Sequence, residues 1–167
     1  METLRQELFP DFVDSAHVVR VLVRLVMATI LGGLVGIERE TEHKAAGWRT
    51  QMLVALGSAL FVLVPLEMRI SDITRVVQGI TAGIGFLGAG TIFKLTDRME
   101  VKGLTSAASI WITAAIGMAV GAGMMGPAVV AVVLSLIILF CLHTVERWVR
   151  PWRKNRSSAN GSGQGQP

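Results

Sequence analysis

The stretch VVQGITAGIGFLGAGTIFKL, Val76 to Leu95, decides the fold. It is apolar over about 20 residues, the length a helix needs to cross a bilayer. It also carries Gly79, Gly83, Gly85, Gly88 and Gly90. In a soluble helix each glycine costs roughly 1 kcal/mol relative to alanine. A membrane helix recovers that loss, because glycine lets two backbones approach where lipid supplies no hydrophobic driving force. The stretch therefore predicts a membrane-spanning helix whose small residues serve close packing.

Composition agrees. Of 167 residues, 51% are hydrophobic and 17% charged, and the mean hydropathy is +0.55. These values indicate a small integral membrane protein, with the lipid bilayer as its first partner. The net charge of +4 does not indicate nucleic acid, because the basic residues sit in short segments between apolar runs, where topology places them. The single cysteine, Cys141, allows no intramolecular disulfide and no cysteine metal cluster. Glu2, Glu7, Asp11 and Asp14 precede the first apolar run in place of a basic n-region, so no cleaved signal peptide is expected.

The expected architecture is an all-α polytopic bundle of about five transmembrane helices: Val18–Ile37, Thr50–Leu66, Val76–Leu95, Leu104–Gly123 and Pro127–Val145. Residues 1–17 form an N-terminal extracytoplasmic segment, 18–146 the transmembrane domain, and 147–167 a basic and then disordered cytoplasmic tail. Lys and Arg set the orientation. Arg39, Lys44, Arg49, Lys94, Arg98, Lys102 and the run Arg147 to Arg156 fall on one side, which is then cytoplasmic, with the N-terminus outside.

Arg24 is the first polar anomaly, since an arginine within a membrane helix costs about 3 kcal/mol on insertion scales. Glu38, at the far end of the same helix, is about 21 Å away at 1.5 Å per residue. The outer loop offers Asp72, with Arg75 and Gln78 beside it. A polar cluster of Arg24, Asp72, Arg75 and Gln78 is therefore expected. The alternative is separate solvated charges, with Arg24 snorkelling outward. At the cytoplasmic end, Glu38, Arg39, Glu40, Arg49, Lys94 and Lys102 form a charged rim, either as an ion-pair network or as ordinary helix-end charges.

Gly83-Ile-Gly85-Phe-Leu-Gly88 spells GxGxxG, but no strand or acidic residue stands where a dinucleotide fold needs it. The remaining readings are a broken helix beside a polar cavity and a small-residue packing face. Packing is favoured by the fourth span, where Ser106, Ser109, Thr113, Gly117 and Gly121 also present small residues and Trp111 is expected in the core. No Ser/His/Asp set, His-x-x-x-His pair or phosphate loop appears. The chain is not expected to be an enzyme or to hold a cofactor, and no spacing gathers the oxygen ligands of a hard cation.

Four motifs occur together: RLVMATILGGLVGIERE (24–40), GWRTQMLVALGSALF (47–61), DITRVVQGITAGIGFLGAGTIFK (72–94) and VKGLTSAASIWITAAIGMAVGAG (101–123). In combination and order they resemble the membrane domain of the MgtC/SapB family, including its YhiD-type members. The resemblance implies a bacterial inner-membrane protein linked to magnesium limitation, acid adaptation and survival inside host cells. It implies a regulatory or accessory role more than magnesium transport. With many packing residues and no catalytic set, the expected mode of action is contact with another inner-membrane protein or a homo-oligomer through the glycine-rich face. The alternative is a cation (magnesium or proton) transporter or channel using the intramembrane charges and a glycine-rich broken helix. Longer members continue into a cytoplasmic α/β domain, where this sequence has a basic stretch and a polar tail.

Overall fold

The computed structural model describes residues 15–41, 44–70, 72–95 and 100–141. The expectations for residues 1–14, for the end of the fifth span and for the basic tail lie outside them. Five helices are described: α1 (Ser15–Thr41), α2 (Trp48–Glu67), α3 (Ile73–Ala89), α4 (Leu104–Gly121) and α5 (Met125–Cys141). Between α3 and α4 stand two short strands, β1 (Phe93–Leu95) and β2 (Glu100–Lys102). The expected all-α membrane bundle is present, and α1, α2 and α4 are each long and apolar enough to cross a membrane. The helices α3 and α5 are apolar but shorter.

Three helices form a tight body around Ala55. Gly32 of α1 faces it so closely that an added Cβ would stand 2.6 Å from the Ala55 Cβ and 2.7 Å from the Gln51 carbonyl oxygen. Gly117 of α4 presses on the Ala55 carbonyl from another side, and one turn on Gly121 meets Ala59 in the same way. Gly36 lies directly over the Trp48 backbone. Close backbone approach of this kind holds helices together where lipid supplies no hydrophobic force. These contacts also fix direction: α2 and α4 run parallel and α1 runs against both.

The fifth helix joins through one stripe. Ala128, Val132, Ser135 and Leu139 are its buried residues, spaced three to four apart as one helix face requires. They complete a core with Ala28, Leu31, Val35, Ala59, Ile116 and Val120. The Ser135 hydroxyl is satisfied within its own helix, donating to the Ala131 carbonyl at 2.6 Å.

Val76–Leu95 is not one helix. The helix begins earlier, at Ile73, and stops at Ala89. Thr91 seals the end, its N–H and its hydroxyl both donating to the Gly88 carbonyl, at 3.0 and 2.7 Å. Beyond it, Phe93, Lys94 and Leu95 pair antiparallel with Lys102, Val101 and Glu100. Gly103 then turns the chain into α4 at φ 97°, and a side chain there would collide with the Thr91 carbonyl oxygen. Only glycine meets both demands. Apolar length alone did not reveal this stop, because Thr91, Ile92 and Phe93 suit a strand as well as a membrane helix.

Candidate functional site: a buried polar seam and an open glycine face

The structure does not assemble the expected outer cluster. Arg24 Nη1 donates to the Gly121 carbonyl at 3.2 Å, and its guanidinium fills the space that a side chain on Gly123 would need. The last carbonyls of a helix lack intrahelical donors and carry the negative end of its dipole. The partner of Arg24 is therefore the end of α4. Asp72 pairs instead with Arg75 on its own helix, at 3.0 Å, with both side chains largely exposed. Gln78 is exposed on α3. Among the described residues no ion pair joins Arg24 to Asp72.

The charged rim divides into separate parts. Glu38 and Arg39 form a two-point pair, Arg39 Nε to Oε2 at 2.7 Å and Nη2 to Oε1 at 3.3 Å. Arg39 is only 3% exposed. Glu40 turns elsewhere: its carboxylate accepts from the Trp48 N–H at 3.3 Å, at the start of α2. A side chain on Gly47 would strike that carboxylate. Glu40 thus caps α2 from the preceding helix, satisfying one of its unpaired N–H groups. Arg49 and Lys102 are exposed. Lys94 and Lys102 sit in the β hairpin rather than at helix ends.

The glycines divide as well. Gly117 and Gly121 pack backbone to backbone against α2, and a Cβ added to Gly88 would stand 3.5 Å from the Ala107 Cβ. Gly90 meets only carbonyls of its own helix end. Among the described residues, nothing lies within 4 Å of where a Cβ on Gly79, Gly83 or Gly85 would stand. Gly88 is the one buried residue of α3. Beside this open face Phe86 is 86% exposed, and a groove of about 440 Å³ opens between α2 and α3, lined by Leu53, Gly57, Phe61, Ile80, Gly83 and Leu87 among others. Trp111, expected in the core, is instead 53% exposed on α4.

Sequence reasoning passed over Gln51. Its side chain is wholly buried and donates through Nε2 to the Ser109 hydroxyl at 2.8 Å. Ser109 donates in turn to the Ser106 carbonyl at 2.8 Å. Ser106 and Thr113 are buried on the same helix. The signal was present, since an amide within a membrane run marks a polar contact between helices. Gly32 and Gly36, a small-xxx-small pair in α1, were also missed as packing residues. Among the described residues no group of three or more His, Cys, Asp or Glu is placed to hold a metal ion.

Comparison with known proteins identifies the family. The family model described as the MgtC family matches residues 25–148. The chain is 40% identical over 142 residues to protein SrpB of Synechococcus elongatus, covering 76% of this chain and 78% of SrpB. It is 39% identical over 131 residues to YhiD of Escherichia coli K12, whose name proposes a magnesium transporter, covering 73% of this chain and 60% of YhiD. It is 47% identical over 115 residues to protein MgtC of Brucella abortus, covering 68% of this chain but 48% of that protein. The matched region is thus about half of the Brucella protein. No solved structure matches. The matched region takes in the packed glycines, the buried seam and the open face of α3, and the chain belongs to the MgtC family.

Proposed function

We propose that this protein is a multi-pass inner-membrane accessory or regulatory protein that works through contact between α3 and another membrane helix, from a partner or a second copy. Magnesium limitation, acid adaptation or intracellular survival is its setting. The supporting observation is that Gly79, Gly83 and Gly85 pack against nothing among the described residues. Gly32, Gly36, Gly117 and Gly121 of α1 and α4 are packed against α2, whereas Gly79, Gly83 and Gly85 of α3 face open space. Two glycines four residues apart, such as Gly79 and Gly83, suit close approach of a second helix. The N-terminus lies outside and the C-terminus in the cytoplasm, following the distribution of Lys and Arg.

The test is in-membrane crosslinking from cysteine introduced at position 82 on α3, in a Cys141→Ser background. A defined homo-oligomer or one recurrent partner, lost on Gly83→Leu, is the expected result. A chain that stays uncrosslinked in its native membrane overturns the reading.

A second reading is cation transport, favoured by the name of the Escherichia coli relative. Liposome flux assays decide it: magnesium or proton flux that Asp72→Asn abolishes would replace the accessory reading.

A further inference from the structure

Among the described residues, three side-chain atoms inside the helical body have no hydrogen-bond partner: Arg39 Nη1, Gln51 Oε1 and Thr113 Oγ1. Gln51 and Thr113 are 0% exposed and Arg39 is 3% exposed. A buried polar group left unpaired costs about 1–3 kcal/mol, and more when it is charged. Such groups inside a folded protein call for a partner, which includes ordered water. The three differ in kind. Gln51 Oε1 can only accept, Arg39 Nη1 can only donate, and the Thr113 hydroxyl can do either.

The three helices that carry them pack on one another. Gly32, Gly36 and Arg39 are spaced four and three residues apart, on the face that α1 turns to α2. A Cβ on Gly36 would stand 3.2 Å from the Gln51 Cγ, so the Gln51 side chain lies against this row. Arg39 is one further step along it, about 4.5 Å of rise. Long helical side chains lean back toward the N-terminus, so the Arg39 side chain is expected to return toward the level of Gly36, which faces Gln51. Glu38 occupies Nε and Nη2, leaving Nη1 as the free corner. From the other side Ser109 of α4 holds the Gln51 amide, and Thr113 stands one turn beyond Ser109 on the same helix.

The chemistry selects the occupant. A metal cation would accept Gln51 Oε1 and Thr113 Oγ1 as ligands, but hard cations need about six oxygens. The nearby carboxylate of Glu38 is already spent on Arg39, whose charge repels a cation. An anion would satisfy Nη1 and be repelled by Oε1. Water offers two donors and two acceptors, and buried waters usually make about three hydrogen bonds to otherwise unsatisfied groups.

We propose that the seam between α1, α2 and α4 is an internal hydration site, in which water bridges the side-chain oxygen Oε1 of Gln51 to the Arg39 guanidinium, with the Thr113 hydroxyl on its far edge. The site joins the buried Glu38–Arg39 pair to the Gln51–Ser109–Ser106 chain. It does not depend on the function proposed for α3.

The full chain in lipid nanodiscs tests this in two ways. A structure at a resolution that shows waters should place density about 3 Å from Gln51 Oε1. A direct bond from Arg39 or Thr113 to that oxygen, or an empty seam, overturns the proposal. So does density that gains anomalous signal when thallium replaces potassium, because that marks a cation. Radiolytic footprinting should label Ile110, which is 0% exposed and adjoins Ser109, through radicals formed on trapped water. Gln51→Met should lower that label several-fold, and Gln51→Glu should retain it. Equal labelling of wild type and Gln51→Met overturns the proposal. If the methionine variant fails to fold, the density and the wild-type label decide alone.

Discussion

Arg24 Nη1 reaches the Gly121 carbonyl at 3.2 Å and so ties the first half of α1 to the last turn of α4. The bond is charge-assisted and sits where the α4 dipole is most negative. Hydrogen bonds to charged groups contribute about 1.5–3 kcal/mol. Arg24→Met should lower thermal stability in detergent by that order, with Arg24→Lys intermediate. Asp72→Asn should leave the melting temperature nearly unchanged, since exposed pairs contribute about 0–1 kcal/mol. A double-mutant cycle between Arg24 and Asp72 should show no coupling.

Glycine substitutions should separate the two kinds of site. Gly117→Ala forces a methyl into the Ala55 carbonyl, and overpacking of this type costs about 1–3 kcal/mol. Gly83→Ala meets open space and gains helix propensity, up to about 1 kcal/mol. Thermal melts of the two variants should therefore move in opposite directions. The crosslinking yield should respond to position 83, the position that hardly affects the fold.

The Glu38–Arg39 pair should behave as a unit. Removing one partner of a buried pair leaves a bare charge and costs about 3–5 kcal/mol. Arg39→Met alone should be strongly destabilising, and adding Glu38→Gln should recover part of the loss. Full additivity of the two changes would show that the pair is not coupled.

Glu40→Ala removes the acceptor at the start of α2 and should cost about 1 kcal/mol, as loss of a helix cap does. Gly47→Ala should cost more, because the new methyl displaces the same carboxylate. Hydrogen exchange at Trp48 and its neighbours should rise in both variants.

Much of the bundle was legible from residues alone, for physical reasons that also mark where reading stopped. Apolar runs of bilayer length located α1, α2 and α4 because span length is set by the membrane. The same measure ran α3 on to Leu95, since hydropathy does not distinguish Thr91-Ile92-Phe93 in a turn and strand start from the same residues in a helix. Gly117 and Gly121 were read as packing residues, and the structure packs them. Gly79, Gly83 and Gly85 were read the same way and stand open, because a glycine in a sequence does not record what faces it. Arg24 was matched to a carboxylate, whereas the C-terminus of a helix offers an acceptor that leaves no trace in the side-chain pattern. Gln51 was legible in principle as an amide in an apolar run, and it proved to be the hub of the buried polar chain.

The docking of α3 through one buried glycine, Gly88 against Ala107, and the half-buried Ile84 has a consequence for what the sequence must preserve. Residues of α1, α2, α4 and α5 answer to one another, and a change in one is felt within the same molecule. The outward row of α3 has no such internal auditor. Its tolerance to change is set by whatever lies across from it in the membrane.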